Sequence, residues 1–137
     1  MSKSVLLDTG ALVAVCNRSD VHHEDCIKTL KTIYKPLTTT WPVLTEVFYL
    51  LRRNVKAQSL IMALIQDGSV RISELDPSFL GWFERFATSY SDREVDLADG
   101  SLVYTAERLQ MNRIFTVDRK DFTVYRVFGE HSFDIVP

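Results

Sequence analysis

Two aspartates stand directly after short apolar segments, where an open α/β sheet builds its active site. Asp8 follows the apolar residues 5–7, and Asp118 follows residues 114–117. Ligands of open α/β sheets bind beyond the carboxyl ends of the strands. Both side chains are therefore predicted to emerge at the functional edge of the sheet.

Two further acids lie inside helical patterns. Glu46 belongs to a helix that opens with Pro42, and Asp99 lies in the first turn of the pattern over residues 97–110. Carboxylates brought together without partners repel each other, by about 3 kcal/mol per pair at ~5 Å and an effective dielectric constant of ~20. A chain that gathers four acids needs a cation, and hard divalent cations prefer oxygen ligands. The pattern therefore predicts a metal-dependent phosphodiesterase.

Three of these acids also have a purely structural interpretation. Asp8 could cap the helix that follows it in a strand-to-helix turn. Glu46 falls just beyond the apolar arc of its helix, beside Leu50, where a solvent-facing side chain is equally welcome. Asp118 could lie in a surface turn, with Asp121 capping or turning the same loop. The spacing alone leaves these alternatives open.

Asp96 and Asp99 form a D-x-x-D pair at a helix start, which is the spacing of an N-cap and an N3 residue. Capping boxes prefer Glu or Gln at N3, because the side chain must reach back to the N-cap amide, and Asp is short for this task. We therefore interpret Asp96 as the cap and Asp99 as free to point into the cleft. The positive end of the helix favours both charges.

The composition is that of a soluble globular protein, with 137 residues, of which 46% are hydrophobic and 25% charged. This length predicts a single domain over residues 1–137. A net charge of −2 gives no basic field for nucleic acid, so any attraction for a polyanion must be local. We expect no signal peptide and no membrane span, because the longest apolar run, residues 11–16, is too short. Cys16 and Cys26 are interpreted as reduced, structural thiols of a cytoplasmic protein.

Strand-like and helical patterns alternate along the chain, which predicts an α/β fold with βαβ units and a mainly parallel sheet. Residues 5–7 are continuously apolar, as expected of a central strand covered on both faces. Residues 70–73 alternate between apolar and polar, which is typical of a half-exposed edge strand. The other predicted strands are residues 37–40, 114–117 and 133–136. The predicted helices are residues 10–17, 21–34, 42–53, 55–66, 76–86 and 97–110.

Part of one predicted helix carries more apolar surface than a single core-facing stripe can use. Residues 60–65 are apolar around the whole circumference of the helix. Such excess surface indicates a partner, so we predict a homodimer built on residues 42–66. The alternative is that this surface is buried within the monomer.

Four segments carry the acids in a fixed order: Val5-Leu6-Leu7-Asp8-Thr9-Gly10-Ala11-Leu12, Pro42-Val43-Leu44-Thr45-Glu46, Asp96-Leu97-Ala98-Asp99-Gly100-Ser101-Leu102-Val103 and Thr116-Val117-Asp118-Arg119. This pattern covers nearly the whole chain and resembles the PIN-domain family, and within it the VapC-type toxins of prokaryotic toxin–antitoxin systems. The resemblance implies a three-layer α/β/α sandwich with a mainly parallel central sheet. Gly100 departs from the pattern, because relatives often carry Ala there, and it is expected to loosen the helix slightly.

The same resemblance implies an endoribonuclease that hydrolyses RNA phosphodiester bonds with Mg²⁺ or Mn²⁺. It also implies a homodimer and a cognate antitoxin protein that blocks the cleft. Candidate phosphate contacts are Arg52, Arg53, Lys56, Arg119 and Lys120. The catalytic, metal-binding acids map onto Asp8, Glu46, Asp99 and Asp118, with Asp96 as an optional fifth ligand.

Two other classes of function stay open. A phosphatase or receiver-type phosphoacceptor also places an Asp at the end of its first strand. Phosphatases of the haloacid-dehalogenase type need a second Asp two residues on, where this chain has Gly10, and receivers need an acidic pair before the first Asp. The other class is a non-catalytic PIN-like binding module with a degenerate site, which only an activity assay separates from a nuclease.

Overall fold

A parallel sheet forms around the first strand of the chain. The computed structural model describes residues 2–137. Its strands are β1 (Ser2–Leu7), β2 (Leu37–Thr39), β3 (Val70–Ile72), β4 (Met111–Phe115), β5 (Arg126–Val127), β6 (His131–Ser132) and β7 (Asp134–Val136). Five of them form one sheet in the order β3-β2-β1-β4-β7, with every neighbouring pair parallel. The predicted α/β fold with a mainly parallel central sheet is confirmed.

Helices connect these strands and cover both faces of the sheet. They are α1 (Thr9–Cys16), α2 (His23–Leu30), α3 (Trp41–Leu50), α4 (Val55–Gln66), α5 (Ser78–Ser89), α6 (Leu97–Leu109) and α7 (Arg119–Val124). Val5, Leu6 and Leu7 in β1 are each at most 1% exposed. Because successive strand residues point to opposite faces, this burial requires helices on both sides. Within residues 2–137, no helix is both long and apolar enough to cross a membrane.

Several predicted elements lie close to their observed positions. The helix predicted over residues 55–66 coincides with α4, and the strand predicted over residues 70–73 is β3, at the edge of the sheet. The helix predicted over residues 21–34 is shorter, because α2 ends at Leu30 and the next residues form a turn. In that turn the backbone N–H and the hydroxyl of Thr32 both donate to the carbonyl of Thr29.

The region that follows α6 differs more from expectation. β4 begins at Met111 and ends at Phe115, whereas the strand was predicted over residues 114–117. Residues 116–117 lie beyond the strand, although the Thr116 backbone N–H still donates to the carbonyl of Val136 at 3.0 Å. The short helix α7 and the antiparallel pair β5–β6 were not predicted. Six-residue and two-residue elements are too short to show a periodic pattern.

One expectation about packing was wrong: Leu50 belongs to the predicted apolar arc of its helix, but it is 54% exposed. Gly100 is expected to loosen α6 slightly, and the structure gives it a role in packing as well. A Cβ atom at this position would lie 2.4 Å from the ring of Phe83 in α5. The glycine is needed because the aromatic ring packs directly against the backbone of α6, and this contact helps to bring the two helices together.

Candidate active site

Asp8 lies at the carboxyl end of the central strand, where the chain turns into α1. One carboxylate oxygen, Oδ1, accepts a hydrogen bond from the backbone N–H of Thr9 at 2.8 Å, and the other, Oδ2, accepts one from the hydroxyl of Thr116 at 2.7 Å. Asp8 is only 5% exposed. Burial raises the pKa of Asp8 to about 6, and the charges of Asp118 and Glu46 act in the same direction. Asp8 therefore caps α1, as the structural alternative proposed, and also lies buried at the functional edge.

The segment after β4 lies next to the start of α1 because Gly10 has no side chain. A Cβ atom on Gly10 would lie 2.5 Å from Cγ2 of Val117. The hydroxyl of Thr116 reaches back to Asp8, and it also accepts a hydrogen bond from the backbone N–H of Asp118 at 2.9 Å. A single hydroxyl thus connects the ends of β1 and β4.

The prediction that Asp96 caps α6 is confirmed. Asp96 is the N-cap of α6, and its Oδ1 accepts a hydrogen bond from the backbone N–H of Asp99 at 2.7 Å. Asp99 is 7% exposed, and its Oδ2 accepts a hydrogen bond from the hydroxyl of Tyr125 at 3.2 Å. Burial raises the pKa of Asp99 to about 8, with further contributions from the charges of Asp8 and Asp96. The surrounding protein therefore does not offset the free-energy cost of ionising the buried Asp99.

Asp118 and Asp121 repeat the same arrangement at the start of α7. Asp118 is the N-cap, and its Oδ1 accepts from the backbone N–H of Asp121 at 3.5 Å. One carboxylate oxygen from each of Asp99, Asp118 and Asp121 lies within 4.8 Å of the others. We call these three side chains the carboxylate trio. The pKa of Asp118 is raised, first by burial and then by its interaction with Asp121.

Glu46 and Asp96 line a groove that runs along the start of α3. The groove has a volume of about 600 Å³. Glu46 is half-buried, and its charge contributes to the raised pKa of Asp8. The structure therefore places Glu46 within electrostatic range of Asp8. The groove is lined by Trp41, Pro42, Thr45, Glu46, Tyr49, Asp96, Leu97 and Ala98.

Four residues of this site were not identified from the sequence as functional candidates. The sequence analysis interprets Asp121 only as a cap or a loop residue. Its spacing from Asp118 repeats the D-x-x-D spacing of Asp96 and Asp99, and this repetition is the sequence feature from which Asp121 could be identified as a site residue. The others are Thr116, Tyr125 and Arg93, whose contacts are formed between distant segments of the chain.

A family model of the PIN domain matches residues 5–127 of this chain. The chain belongs to the PIN domain family. Ribonuclease VapC26 of Mycobacterium tuberculosis is 24% identical over 135 residues, which cover 97% of this chain and 100% of that protein. The predicted resemblance to PIN domains and VapC-type proteins is therefore confirmed.

Two solved structures share the PIN fold. The structure of Mycobacterium tuberculosis VapC20, a Sarcin-Ricin loop cleaving toxin, superposes with a TM-score of 0.77 at 18% identity, over 85% of this chain and 92% of that chain. A chain of a toxin–antitoxin complex from Klebsiella pneumoniae superposes with a TM-score of 0.69 at 16% identity, over 98% and 97% of the two chains. At these identities the similarity establishes the three-dimensional fold.

PIN nucleases generally use a divalent metal, and the donors of this PIN domain fit one. The carboxylate trio offers three oxygen ligands at short mutual distance, which is the ligand type that hard divalent cations prefer. The raised pKa values of Asp8 and Asp99 show that the protein alone does not compensate these charges. A cation would do so, and the arrangement is therefore suited to hold one.

Proposed function

We propose that this PIN domain is a metal-dependent endoribonuclease and the toxin of a toxin–antitoxin pair, acting as a single domain with Mg²⁺ or Mn²⁺. The observation that carries the proposal is the carboxylate trio beside the buried Asp8, at the carboxyl edge of the sheet. The names of Ribonuclease VapC26 and of the VapC20 toxin support the same activity. The substrate class is RNA. The proposed catalytic and metal-binding residues are Asp8, Glu46, Asp99 and Asp118, with Asp121 and the optional Asp96 completing the acidic cluster.

The residues of the cluster have separate roles in this proposal. Within this set, Asp99, Asp118 and Asp121 offer the cation three oxygens that lie close together, while Thr116 keeps Asp8 in position beside them. With a pKa of about 6, Asp8 is ionised at neutral pH and is more basic than an exposed Asp. Each of its oxygens accepts one hydrogen bond and keeps a free lone pair, through which it can take a proton from water. A divalent cation supplies, when bound, activation of that water and neutralisation of charge on the phosphate.

The hydrogen bonds of Asp8 disfavour the alternative role as a phosphoacceptor. Both oxygens accept hydrogen bonds, one from a backbone N–H and one from the hydroxyl of Thr116, inside a buried site. Each of these donors lowers the pKa of Asp8, and therefore its nucleophilicity, relative to an equally buried carboxylate without them. Incubation with acetyl phosphate followed by mass spectrometry should therefore leave Asp8 unmodified.

Induced expression in a bacterial host tests the proposed function directly. We expect new RNA 5′ ends to accumulate at a limited set of positions within minutes, as measured by sequencing transcript ends. Asp8→Asn is the matched control, because Asn keeps the cap of α1 but removes the charge. An identical set of 5′ ends in cells that express the control variant would refute the assignment.

A cognate antitoxin and a cytoplasmic location complete the proposal. The similarity to a chain of a toxin–antitoxin complex supports an antitoxin partner. Cys16 and Cys26 are buried free thiols, as is usual for proteins of a reducing compartment. In this proposal the antitoxin blocks the cleft that contains the acidic cluster.

We also propose a homodimer through α3 and α4. Val55 is 72% exposed, Leu60 52% and Met62 45%, so this apolar surface is not buried within the monomer. Next to it lies an apolar groove of about 440 Å³. Large exposed apolar surface is typical of protein interfaces. The groove is lined by Trp41, Leu44, Thr45, Phe48, Met62, Ile65, Gln66 and Ile72.

Light scattering at tens of micromolar should give the mass of a dimer. Leu60→Glu should shift the protein toward the monomer, because a charge would be buried in the interface. Leu80→Glu is the matched control for an added charge, because Leu80 is an exposed leucine of α5, outside the proposed interface, and this variant should remain dimeric. A wild-type protein that is monomeric at this concentration would contradict the proposed interface.

A further inference from the structure

Arg93 is the cation that the fold places against the acidic cluster. It lies between α5 and α6, and its Nη1 donates to Oδ1 of Asp121 at 2.7 Å. Both side chains are largely buried, with 22% of Arg93 and 30% of Asp121 exposed. Among residues 2–137, no other basic side chain forms an ion pair with Asp8, Glu46, Asp96, Asp99, Asp118 or Asp121. Within the described residues, Asp121 is thus the one acid of these six that is ion-paired, and its partner is Arg93.

Arg93 is also connected to a second member of the carboxylate trio. Its guanidinium carbon lies 6.0 Å from the ring centroid of Tyr125, within the range of a cation–π contact. The hydroxyl of that tyrosine donates to Asp99. Tyr125 is fully buried and packs against Phe86, Tyr90 and Phe122. The position of the guanidinium is therefore determined by packing on one side and by Asp121 on the other.

A positive charge at this place has two opposite effects. It lowers the repulsion among the acids while no metal ion is present, because it neutralises one of them. It also repels a divalent cation that approaches the trio, and it occupies one of the two carboxylate oxygens of Asp121, which is a member of the trio. Repulsion between a monovalent and a divalent charge a few ångströms apart is substantial at the effective dielectric constant of a protein. The net effect on metal affinity is therefore expected to be unfavourable.

We propose that Arg93 is the resident counter-ion of the acidic cluster, with which a divalent cation must compete for Asp121. This inference rests on the proposed metal-dependent function. It makes Arg93 a residue that sets the affinity for metal without being a ligand. Arg93 stabilises the metal-free protein and raises the concentration of metal at which the site fills.

Calorimetric titration of Mn²⁺ into the metal-free protein at low ionic strength tests the proposal. Arg93→Gln should bind Mn²⁺ about tenfold more tightly than wild type, because the competing charge is removed. Arg93→Lys keeps the charge and should stay within about threefold of wild type. In EDTA, Arg93→Gln should melt at a lower temperature than wild type. Should the Gln variant fail to fold, Arg93→Met removes the charge and keeps a contact with the ring of Tyr125.

The outcomes separate this inference from the proposed function. Equal or weaker Mn²⁺ binding by the uncharged variants, with wild-type binding intact and lost in Asp99→Asn, would overturn the counter-ion role alone. A residue that merely orients Asp121 would weaken binding when replaced by either Gln or Lys. Absence of Mn²⁺ binding by the wild type, or equal binding by Asp99→Asn, would overturn the metal site and this inference with it.

Discussion

Asp99→Asn is expected to reduce RNA cleavage at least a thousandfold while leaving the fold as stable as wild type or more so. The side chain keeps its shape but loses its negative charge, so the carboxylate trio loses one of its three anionic oxygens. Removal of a transition-state contact from a unit that acts together has effects of this order. The buried position and the raised pKa of Asp99 show that its ionised form costs folding free energy. Neutralisation therefore removes activity without removing stability.

The predicted effect of Asp99 on stability can be checked by the direction in which the free energy of unfolding changes with pH. The pKa of Asp99 is about 8 in the folded protein and near 3.8 in an unfolded chain, so between these values the folded state binds more protons. The free energy of unfolding of the metal-free protein should therefore fall as the pH rises from 4 to 8. Asp99→Asn should flatten most of this slope in denaturant titrations with EDTA. The remainder belongs to Asp8, whose pKa of about 6 confines its contribution to the lower half of the window, and to Asp118, whose pKa is also raised.

Asp96→Asn is the matched control, because the two acids are three residues apart at the same helix start. Asp96 accepts the backbone N–H of Asp99, and Asn caps a helix about as well as Asp. We expect this variant to keep most of the cleavage activity and to melt close to wild type. Loss of cleavage in Asp96→Asn with activity retained in Asp99→Asn would show that the two roles are assigned the wrong way round.

The fold was predictable where an element is long or continuously apolar. The run from Val5 to Leu7 indicated a central strand covered on both faces, and α4 was predicted at its observed bounds. The prediction was wrong where position depends on packing between distant segments. β4 starts earlier than its apolar part, because Met111 is buried and pairs within the sheet although Asn112 and Arg113 are polar.

In the candidate site, too, the residues marked by local sequence were predictable and those placed by contacts between distant segments were not. Acids at strand ends were recognisable, since the carboxyl ends of parallel strands meet at one edge. Asp121 was not recognised as a neighbour of Asp99, because α7 is too short to be predicted and only this helix brings it into the trio. Arg93 and Tyr125 could not be found in this way. Arg93 contacts Asp121, which is 28 residues away in the chain, and Tyr125 contacts Asp99, which is 26 residues away, so the local sequence carries no signal for either contact.

Removal of divalent metal is expected to abolish RNA cleavage and to lower thermal stability together. The chain has a net charge of −2 and gathers its acids where a polyanion must approach, so the empty site should repel RNA. Bound Mg²⁺ or Mn²⁺ would invert the local potential and allow the phosphate to approach. The same ion should stabilise the fold, because it binds the assembled cluster and not the unfolded chain. At about 100-fold over its Kd the gain would be roughly 2.7 kcal/mol.

Cleavage assays and thermal melting, with EDTA and with added Mn²⁺, check both effects on wild type and Asp8→Ala. The alanine variant should lose cleavage and most of the metal-induced rise in melting temperature, since Asp8 contributes to the negative field of the cluster. It also loses the cap of α1 and leaves the hydroxyl of Thr116 without its acceptor. Asp8→Asn therefore serves as the second comparison, because it keeps the cap and removes only the charge. Full cleavage in EDTA, or a metal-induced rise in the melting temperature of both variants equal to that of wild type, would show that affinity for the scissile phosphate does not depend on metal at this cluster.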